Sequence, residues 1–200
     1  MEIDHPHAGG QLRAEARRSQ ILTAASACFR EHGFHGASIA LISKTAGMSA
    51  GHIYHYFENK EAIIAAIVEQ DVQHILEINE RFRAADDVLE AMLLSVSEGV
   101  GRMLERDRAA LKVEILAEAA RNPRIAELVQ AADTTARASF ARTLQVLADR
   151  GDAAELAATV EVMSALFEGL MVRGIRHPSL DPEVVTRLLR RVIRPLILPA

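Results

Sequence analysis

The sequence is poor in cysteine and aromatic residues and has no long apolar run. Cys28 is the single cysteine among 200 residues, so no intramolecular disulfide can form and the fold needs no oxidising compartment. Tryptophan is absent and aromatics make up 4% of a chain that is 50% hydrophobic. No segment approaches the roughly 18 apolar residues of a membrane span. The first ten residues also lack the features of a secretory signal. These absences favour an all-α, cytoplasmic protein that does not enter a membrane.

The sequence also lacks the motifs of common catalysts. It has no Gly-x-Ser-x-Gly, no His-Glu-x-x-His, no Gly-rich phosphate loop and no strand pattern. We therefore expect no enzymatic activity and no cofactor, although a helical-bundle enzyme with a DNA-binding module stays a remote alternative. Two pairs of histidines three residues apart, His32 with His35 and His52 with His55, leave a metal sensor open. Solvated or DNA-facing histidines are the simpler interpretation of both pairs, so we expect no metal.

Positive charge is scarce and unevenly distributed. The net charge is −4, yet residues 1–60 contain six basic and five acidic residues, which leaves −5 for residues 61–200. Six of the eight histidines also lie in residues 1–60, so this segment becomes more positive below about pH 6.5. A mildly basic surface predicts weak DNA binding by one copy and a dependence on a dimer.

The stretch from Ser38 to Lys60 has the pattern of two short capped helices. Ser38 is a suitable N-cap before an apolar run, and Gly47 suits the left-handed residue that ends a helix. Ser49 can cap a second helix immediately afterwards. Two capped helices separated by Gly-Met-Ser are typical of a helix-turn-helix, whose second helix enters the major groove of DNA.

The same stretch, AGMSAGHIYHYFENKEAI, resembles the DNA-binding signature of the TetR family of transcriptional regulators. The matching residues are Ala46, Gly47, Ser49, Gly51, Ile53, Tyr54, Tyr56, Phe57 and Lys60. The segment from Arg18 to Phe34 is similar to the family's first helix, whereas Met48 and Ser43 depart from the usual Val and Ala. The resemblance implies a three-helix DNA-binding domain over residues 1–60. It also implies a helical bundle for ligand binding and dimerisation over residues 61–200.

Helix-end chemistry assigns the DNA contacts. The start of the second helix would face the bases, with Ser49, Ala50, Gly51 and His52. Residues with donors suited to phosphate oxygens are Ser38, Tyr54, His55, Tyr56 and Lys60, and the resemblance implies this role for all of them except His55. Arg17 and Arg18 could reach the backbone or a minor groove. Ile53 and Phe57 are expected in the core, and Tyr56 could serve in packing instead.

Apolar periodicity and helix-end signals predict further helices on both sides. The first runs from about Ala14 to His32 behind a loose arm of about twelve residues, and Gly33 ends it. Asn59 starts a long helix that ends near Arg83. Later starts are Asp86 or Asp87, Ala109 after a charged break at residues 105–108, Pro123, Asp152 after Arg150-Gly151, and Asp181-Pro182.

The second half offers candidates for an effector pocket, each of which could also be plain core. They are Met92, Val96, Gly99, Met103, Glu114, Leu116, Glu118, Phe140, Leu144, Met163 and Phe167. If Glu114 or Glu118 faces inward, a cationic ligand is favoured; the alternatives are a solvated face or pairing with an arginine. By resemblance, the last two helices form a homodimer interface, for which the candidates are Val160, Met163, Phe167, Leu188, Leu189, Val192 and Ile193.

These patterns predict a homodimeric, ligand-responsive repressor that binds a palindromic double-stranded DNA operator. An unknown small-molecule effector in the C-terminal domain would shift the fourth helix and release the operator. The alternative is a regulator of the same family without a small-molecule ligand, controlled by a partner protein or by abundance.

Overall fold

The computed structural model describes residues 6–147 and 152–198, and these ranges form nine α-helices without a strand. The helices are α1 (Pro6–Gly36), α2 (Ile39–Ala46), α3 (Ala50–Tyr56), α4 (Lys60–Arg83), α5 (Val88–Leu104), α6 (Arg106–Ala119), α7 (Pro123–Gln145), α8 (Ala153–Arg176) and α9 (Pro182–Ile197). The expected all-α fold is confirmed. Within the described ranges, no helix is both long enough and apolar enough to cross a membrane.

Side-chain caps explain why most of these helices begin where they do. Each capping side chain accepts a hydrogen bond from a backbone N–H two or three residues later, which satisfies a donor that has no partner inside the helix. The predicted caps are confirmed at Ser38, Ser49, Asn59, Asp87 and Asp181. Asn122 and Asp152 act in the same way at α7 and α8.

Two helix starts were predicted wrongly. Residues 6–12, expected in a loose arm, belong to α1, because Pro6 is tolerated in a first turn that needs no N–H partner. Residues 1–5 of that arm lie outside the described ranges. The charged break shrinks to Glu105, and α6 begins at Arg106. Arginine is a good helix former, and Asp107 suits the first turn because the helix dipole favours an acid there. The expected stop at residues 150–151 also lies outside the described ranges.

One hydrophobic core holds the first helices together and extends beyond them. It contains Phe29, Phe34, Ile42, Ile53 and Phe57, as expected, and also Cys28, which is buried. The first turns of α4 contribute Ile63, Ile64 and Ile67, while Ile115 of α6 and Ile125 of α7 are buried in the same cluster. The predicted domain boundary at residue 60 is therefore crossed by continuous packing.

A second core lies among α5, α7, α8 and α9. Val96 and Val100 of α5 pack with Leu144, Met163 and Ile193 from the other three helices. Helix α4 connects the two cores, since it packs along α7 and contacts both α1 and α5. The position of α4 therefore depends on both halves of the chain.

Buried polar groups fix the register of α4 against α7. Arg83 donates to the Thr143 hydroxyl at 2.9 Å and to the Ser139 carbonyl at 3.3 Å, and Thr143 lies 3.3 Å from the Asn79 side-chain oxygen. The Ser139 hydroxyl is also fully buried, yet it has no hydrogen-bond partner among the described residues. The bonded Thr143 hydroxyl therefore stabilises the fold, whereas burial of the unbonded Ser139 hydroxyl costs free energy.

This difference predicts opposite effects of two small substitutions. Thr143→Val should lower the free energy of unfolding by about 1–3 kcal/mol, because Arg83 and Asn79 lose a buried partner. Ser139→Ala, its matched control, removes a hydroxyl without a partner and should be neutral or stabilising. Urea denaturation of both variants measures the difference, and equal destabilisation would contradict the assigned roles.

Candidate nucleic-acid interface

Helices α2 and α3 form a helix-turn-helix with the predicted turn chemistry. Gly47 is left-handed, with φ of 65° and ψ of 34°, and its N–H donates to the Lys44 carbonyl. The Met48 N–H donates to the Ser43 carbonyl at 2.9 Å, so two free carbonyls at the end of α2 are satisfied. Gln20 adds a bond from α1 to the Ala46 carbonyl at 2.8 Å. The turn is thereby held rigidly on α1.

The outer face of α3 carries most of the predicted DNA contacts. Ser49, Gly51, His52 and His55 are exposed, and Tyr54 is 56% exposed, which is high for such a large side chain. Ala50 is half-buried. A side chain added at Gly51 would meet only the Ser49 hydroxyl, at 4.0 Å, so packing inside the protein does not require a glycine there. This surface is open to a ligand.

The inner face of α3 anchors the helix. Ile53 is fully buried and Phe57 nearly so. Tyr56 is half-buried against the N-terminal core, with its ring centroid 5.5 Å from that of His52 and 5.2 Å from that of His55. Tyr56 therefore supports the two exposed histidines, in keeping with the packing role that the sequence left open.

Ser38 and the two arginines of α1 lie on the same half of the molecule, in different environments. The exposed Ser38 uses its hydroxyl to cap α2. Arg17 is exposed, and among the residues that the structure describes its guanidinium donates a hydrogen bond only to the neighbouring Gln20. Arg18 is half-buried, with its guanidinium 5.3 Å from the Phe57 ring and 3.8 Å from the Glu69 carboxylate. Arg17 is thus available to a ligand, whereas Arg18 is partly committed within the protein.

Lys60 is placed differently from its expected phosphate-binding position. Its ammonium donates to the Phe34 carbonyl at 2.6 Å and lies 4.5 Å from the centre of the Phe34 ring. Asn59 orients this lysine by capping the same turn of α4. Lys60 thereby ties the start of α4 to the end of α1.

Glu114 also binds the backbone of Phe34, from the side of α6. Its carboxylate accepts a hydrogen bond from the Phe34 N–H at 2.8 Å, across 80 positions of sequence. Gly33 makes this approach possible, because its φ of 70° suits glycine and a side chain there would come within 3.3 Å of Glu114. The bond links the end of α1 to α6.

Glu118 adds a buried charge one turn further along α6. It is 1% exposed, accepts from Arg121 at 2.6 Å and Asn122 at 3.2 Å, and lies 3.2 Å from the His35 imidazole. Burial alone would raise the pKa of this carboxyl, but the hydrogen bonds from Arg121 and Asn122 and the nearby positive charge outweigh it and lower the pKa. Glu118 therefore stays ionised.

The expectation that Glu114 and Glu118 line a pocket is thus corrected. Both carboxylates face α1, because the end of that helix offers donors to them and Arg121 balances their charge. Leu116, which lies between them in the sequence, is 42% exposed and turns away from the interior. Of the two alternatives to a pocket position, a solvated face and pairing with an arginine, the second describes Glu118.

Most of the other pocket candidates pack in or against the C-terminal core. Met92, Val96, Leu144 and Met163 are buried in the C-terminal core, and Met103, Phe140 and Phe167 are half-buried. A side chain at Gly99 would come within 3.3 Å of the Phe167 ring. An open groove of about 490 Å³ lies instead between α5 and α9, lined by Glu90, Leu93, Leu94, Arg190, Arg191, Arg194 and Pro195, none of which was predicted.

The dimer candidates divide into two groups. Val160, Met163 and Ile193 are buried inside the monomer, because they face α5, and Phe167 and Leu189 are half-buried against the same core. Leu188 and Val192 are exposed, as are several apolar residues that were not predicted: Val162, Val172, Ile175 and Val184. The outer faces of α8 and α9 thus carry an unpaired apolar surface.

The sequence did not predict the groups that bind Glu114 and Glu118 and so join the two halves of the molecule. Phe34 was assigned to the core, but the contribution of its backbone N–H has no signature in the sequence. His35 and Arg121 were not singled out for this role either. The one available signal was the placement of two glutamates, one turn apart, among the apolar residues of α6.

Comparison with known proteins agrees with this geometry. The family model described as "Bacterial regulatory proteins, tetR family" matches residues 21–67, and "BetI-type transcriptional repressor, C-terminal" matches residues 85–198. The chain is 34% identical over 146 residues to the HTH-type transcriptional regulator UidR of Escherichia coli (strain K12), covering 71% of each protein.

Solved structures share the fold over nearly the whole chain. Salmonella enterica GusR is 28% identical, with a TM-score of 0.73 over 91% of this chain and 95% of that one. FadR of Bacillus subtilis, solved in complex with stearoyl-CoA, is 18% identical, with a TM-score of 0.67 over 91% and 98%.

The ionised Glu118 predicts a pH-dependent contribution to stability. Glu118→Gln should lower the free energy of unfolding at pH 7 by about 1–3 kcal/mol, because a charged acceptor is lost. Since the folded-state pKa lies below the ordinary 4.5, this contribution is complete above about pH 4.5 and disappears as the pH falls through the folded-state value.

Urea unfolding at neutral and acidic pH checks this expectation. The gap between wild type and Glu118→Gln should narrow in acid. Glu127→Gln, a change at an exposed position of α7, serves as the control and should leave stability unchanged at both pH values. A gap that persists in acid would contradict the role assigned to the charge.

Proposed function

Because the chain belongs to the TetR family of transcriptional regulators, we propose that it is a repressor that releases its operator when a small molecule binds the C-terminal half. The observation that carries the proposal is the two-sided character of α3. Its outer face exposes polar groups and a glycine, and its inner face is anchored by Ile53 and Phe57. Binding DNA accounts for an exposed face that packing does not explain. A regulator of this kind acts on the chromosome, so we also propose a cytoplasmic location.

The DNA contacts divide by chemistry. Ser49, Ala50, Gly51 and His52, at the start of α3, face the base edges in the major groove. Tyr54, His55, Ser38 and Arg17 donate to phosphate oxygens and set the register without reading sequence. We assign Lys60 and Tyr56 to supporting roles, because the first is bonded to Phe34 and the second is packed between two histidines.

A homodimer provides the affinity that the mild charge of one copy lacks. The exposed apolar faces of α8 and α9 would pair with the same faces of a second copy about a two-fold axis. Two copies of α3 would then lie against two half-sites of a palindromic operator. The exposed side chains that we propose for this interface are Val162, Val172, Leu188 and Val192.

Ligand responsiveness is supported by the position of α4 and by the fold. Helix α4 begins at Lys60, beside the DNA-binding helices, and continues into the C-terminal half, so a shift there reaches α3. The C-terminal half has the fold of FadR, which was solved with stearoyl-CoA bound. A ligand that favours one position of α4 would change the separation of the two α3 helices.

Gel shift on the DNA upstream of the gene tests the proposal. The purified protein should retard this fragment at low salt, and an effector should restore the free fragment. Absence of retardation on any promoter fragment at low salt would reject the repressor function. Retardation that no small molecule reverses would favour a regulator controlled by a partner protein or by abundance.

Substitution at Gly51 separates DNA binding from folding. Gly51→Ala should raise the free energy of unfolding by about 0.5–1 kcal/mol, because alanine favours a helix and meets open space. It should also weaken operator binding by about tenfold or more, since the methyl group keeps the backbone away from base edges. Gly101→Ala, also in open space but on α5, is the control.

Unfolding and gel-shift titrations of the two glycine variants measure both quantities. Gly101→Ala should gain stability and keep full operator affinity. If Gly51→Ala also keeps full affinity, close approach of α3 to the groove is not needed.

A charged residue introduced into the proposed dimer interface should dissociate the dimer. Val192→Glu, at a position 46% exposed on α9, places a carboxylate in an apolar contact with its own copy, so the protein should become monomeric. Operator affinity should then fall about 100-fold or more, because two linked contacts become one. Val113→Glu, at a position 40% exposed on α6, is the control.

Analytical ultracentrifugation and gel shift report the two effects. The control variant should remain dimeric and bind the operator like the wild type. A monomeric Val192→Glu variant with full operator affinity would show that the second half contributes nothing to DNA binding.

A further inference from the structure

A cluster of basic side chains lies where α4, α5 and α6 meet. His74 of α4 contacts Arg102 of α5 through its Nε2 atom, and Asp71 of α4 pairs with Arg108 of α6. All four side chains are partly buried. The cluster belongs neither to the DNA-binding face nor to the carboxylates that hold α1. Its composition differs from that of the predicted pocket, which was apolar with two glutamates.

Arg102 is the unusual member of this cluster. In the part of the chain that the structure describes, no carboxylate oxygen lies within 4.0 Å of its guanidinium, and its contact is an imidazole nitrogen. Burial and the nearby Arg108 both lower the pKa of Arg102, although an arginine keeps its charge in a protein. Its position in the last turn of α5 offsets part of this cost through the helix dipole. Asp71, Glu98 and Glu105 act on this charge through space, but none of them is in direct contact with the Arg102 guanidinium.

His74 adds a neutral acceptor beside this charge. Burial, followed by the charges of Arg102 and Arg108, lowers the pKa of His74, and these effects exceed those of Glu77 and Glu98, which raise it. The imidazole is therefore neutral near pH 7 and accepts a hydrogen bond from Arg102 at Nε2. A neutral acceptor cannot compensate a guanidinium as a carboxylate does. Arg102 therefore lacks the directly bonded carboxylate that Arg108 has in Asp71.

We propose that this junction binds the anionic group of the effector, a carboxylate or a phosphate, between Arg102, Arg108 and His74. The inference rests on the proposed function, because it names the chemistry of the small molecule that releases DNA. An anion here would supply the missing partner of Arg102 and would bridge α5 and α6. Arginine is suited to this task, because its planar fork matches the oxygens of both groups.

The location explains how such an anion would reach the DNA-binding half. His74 and Asp71 lie on α4, whose first residue is bonded to Phe34, and Arg108 lies six positions before Glu114 on α6. Drawing the basic groups of three helices toward one anion would move α4 and α6 relative to each other. Because α4 and α6 are both bonded to the backbone of Phe34, the end of α1 would move with them.

The two glutamates that first suggested a cationic effector are committed elsewhere. Glu114 is bonded to the Phe34 N–H of α1, and Glu118 is bonded to Arg121. Neither carboxylate is therefore free to bind an effector.

Melting temperatures with simple anions test the proposal in the absence of DNA. The probes are sodium benzoate and sodium phosphate, each compared with sodium chloride at equal ionic strength. At least one probe should raise the melting temperature of the wild type above the chloride control, because it binds the native state. A response to benzoate alone identifies a carboxylate site, and a response to phosphate alone identifies a phosphate site.

Two variants assign the response to Arg102. Arg102→Gln should weaken the apparent affinity for the probe about tenfold or more, because a charge-assisted contact is lost. Arg124→Gln, at an exposed position of α7, should respond like the wild type.

Binding of benzoate should also tighten as the pH is lowered from about 7.5 to about 6. The bound anion raises the pKa of His74 toward or above its ordinary value of about 6.5, so the complex takes up a proton that the free protein does not hold. Benzoate is already ionised throughout this range, so the change reports the protein. His74→Gln should abolish this pH dependence while retaining binding.

Two results would overturn the proposal. They are no response to either probe beyond chloride, and an Arg102→Gln variant that responds like the wild type. None of these measurements contains DNA. If the protein shows one of these results but still retards its operator in the gel shift, the anion site is rejected and the proposed repressor function stands.

Discussion

The two hydrogen bonds to the backbone of Phe34 are the constraint that joins the two halves of this molecule. Its N–H donates to Glu114, its carbonyl accepts from Lys60, and its ring is buried in the N-terminal core. Gly33 permits the arrangement through a positive φ and the absence of a side chain. One residue at the end of α1 is thus bonded to α4 and to α6, the two helices that would report the state of the C-terminal half.

Packing reinforces this polar link. Ile115 and Ile125 are buried in the same core as the helix-turn-helix, so the DNA-binding helices have no separate interior. Glu118 lies one turn from Glu114 and stays ionised inside this contact. Because packed cores change between discrete arrangements rather than deform continuously, a shift of α6 must either move the end of α1 or break these bonds. This constraint is the physical basis of the communication that we propose between an effector and α3.

Features set by neighbouring residues were predictable from the sequence, and features set by distant pairs were not. The caps at Ser38, Ser49 and Asp181 and the left-handed Gly47 follow from local chemistry, and all are present. Periodicity identified the apolar stripes of α8 and α9, but it could not tell that Val160 and Ile193 face the monomer core while Val172 and Val192 face outward. Likewise, nothing local indicates that Glu114 meets an N–H 80 residues earlier, or that Arg102 contacts an imidazole rather than a carboxylate.

Amide hydrogen exchange at Phe34 tests the central claim most directly. The account places the Phe34 N–H in a bond to Glu114 that opens only when α1 separates from α6. Its protection in the native protein should therefore match that of the buried Ile115 amide within α6. A Phe34 amide that exchanges at the rate of an open chain, while α6 remains protected, would contradict the link between the two halves.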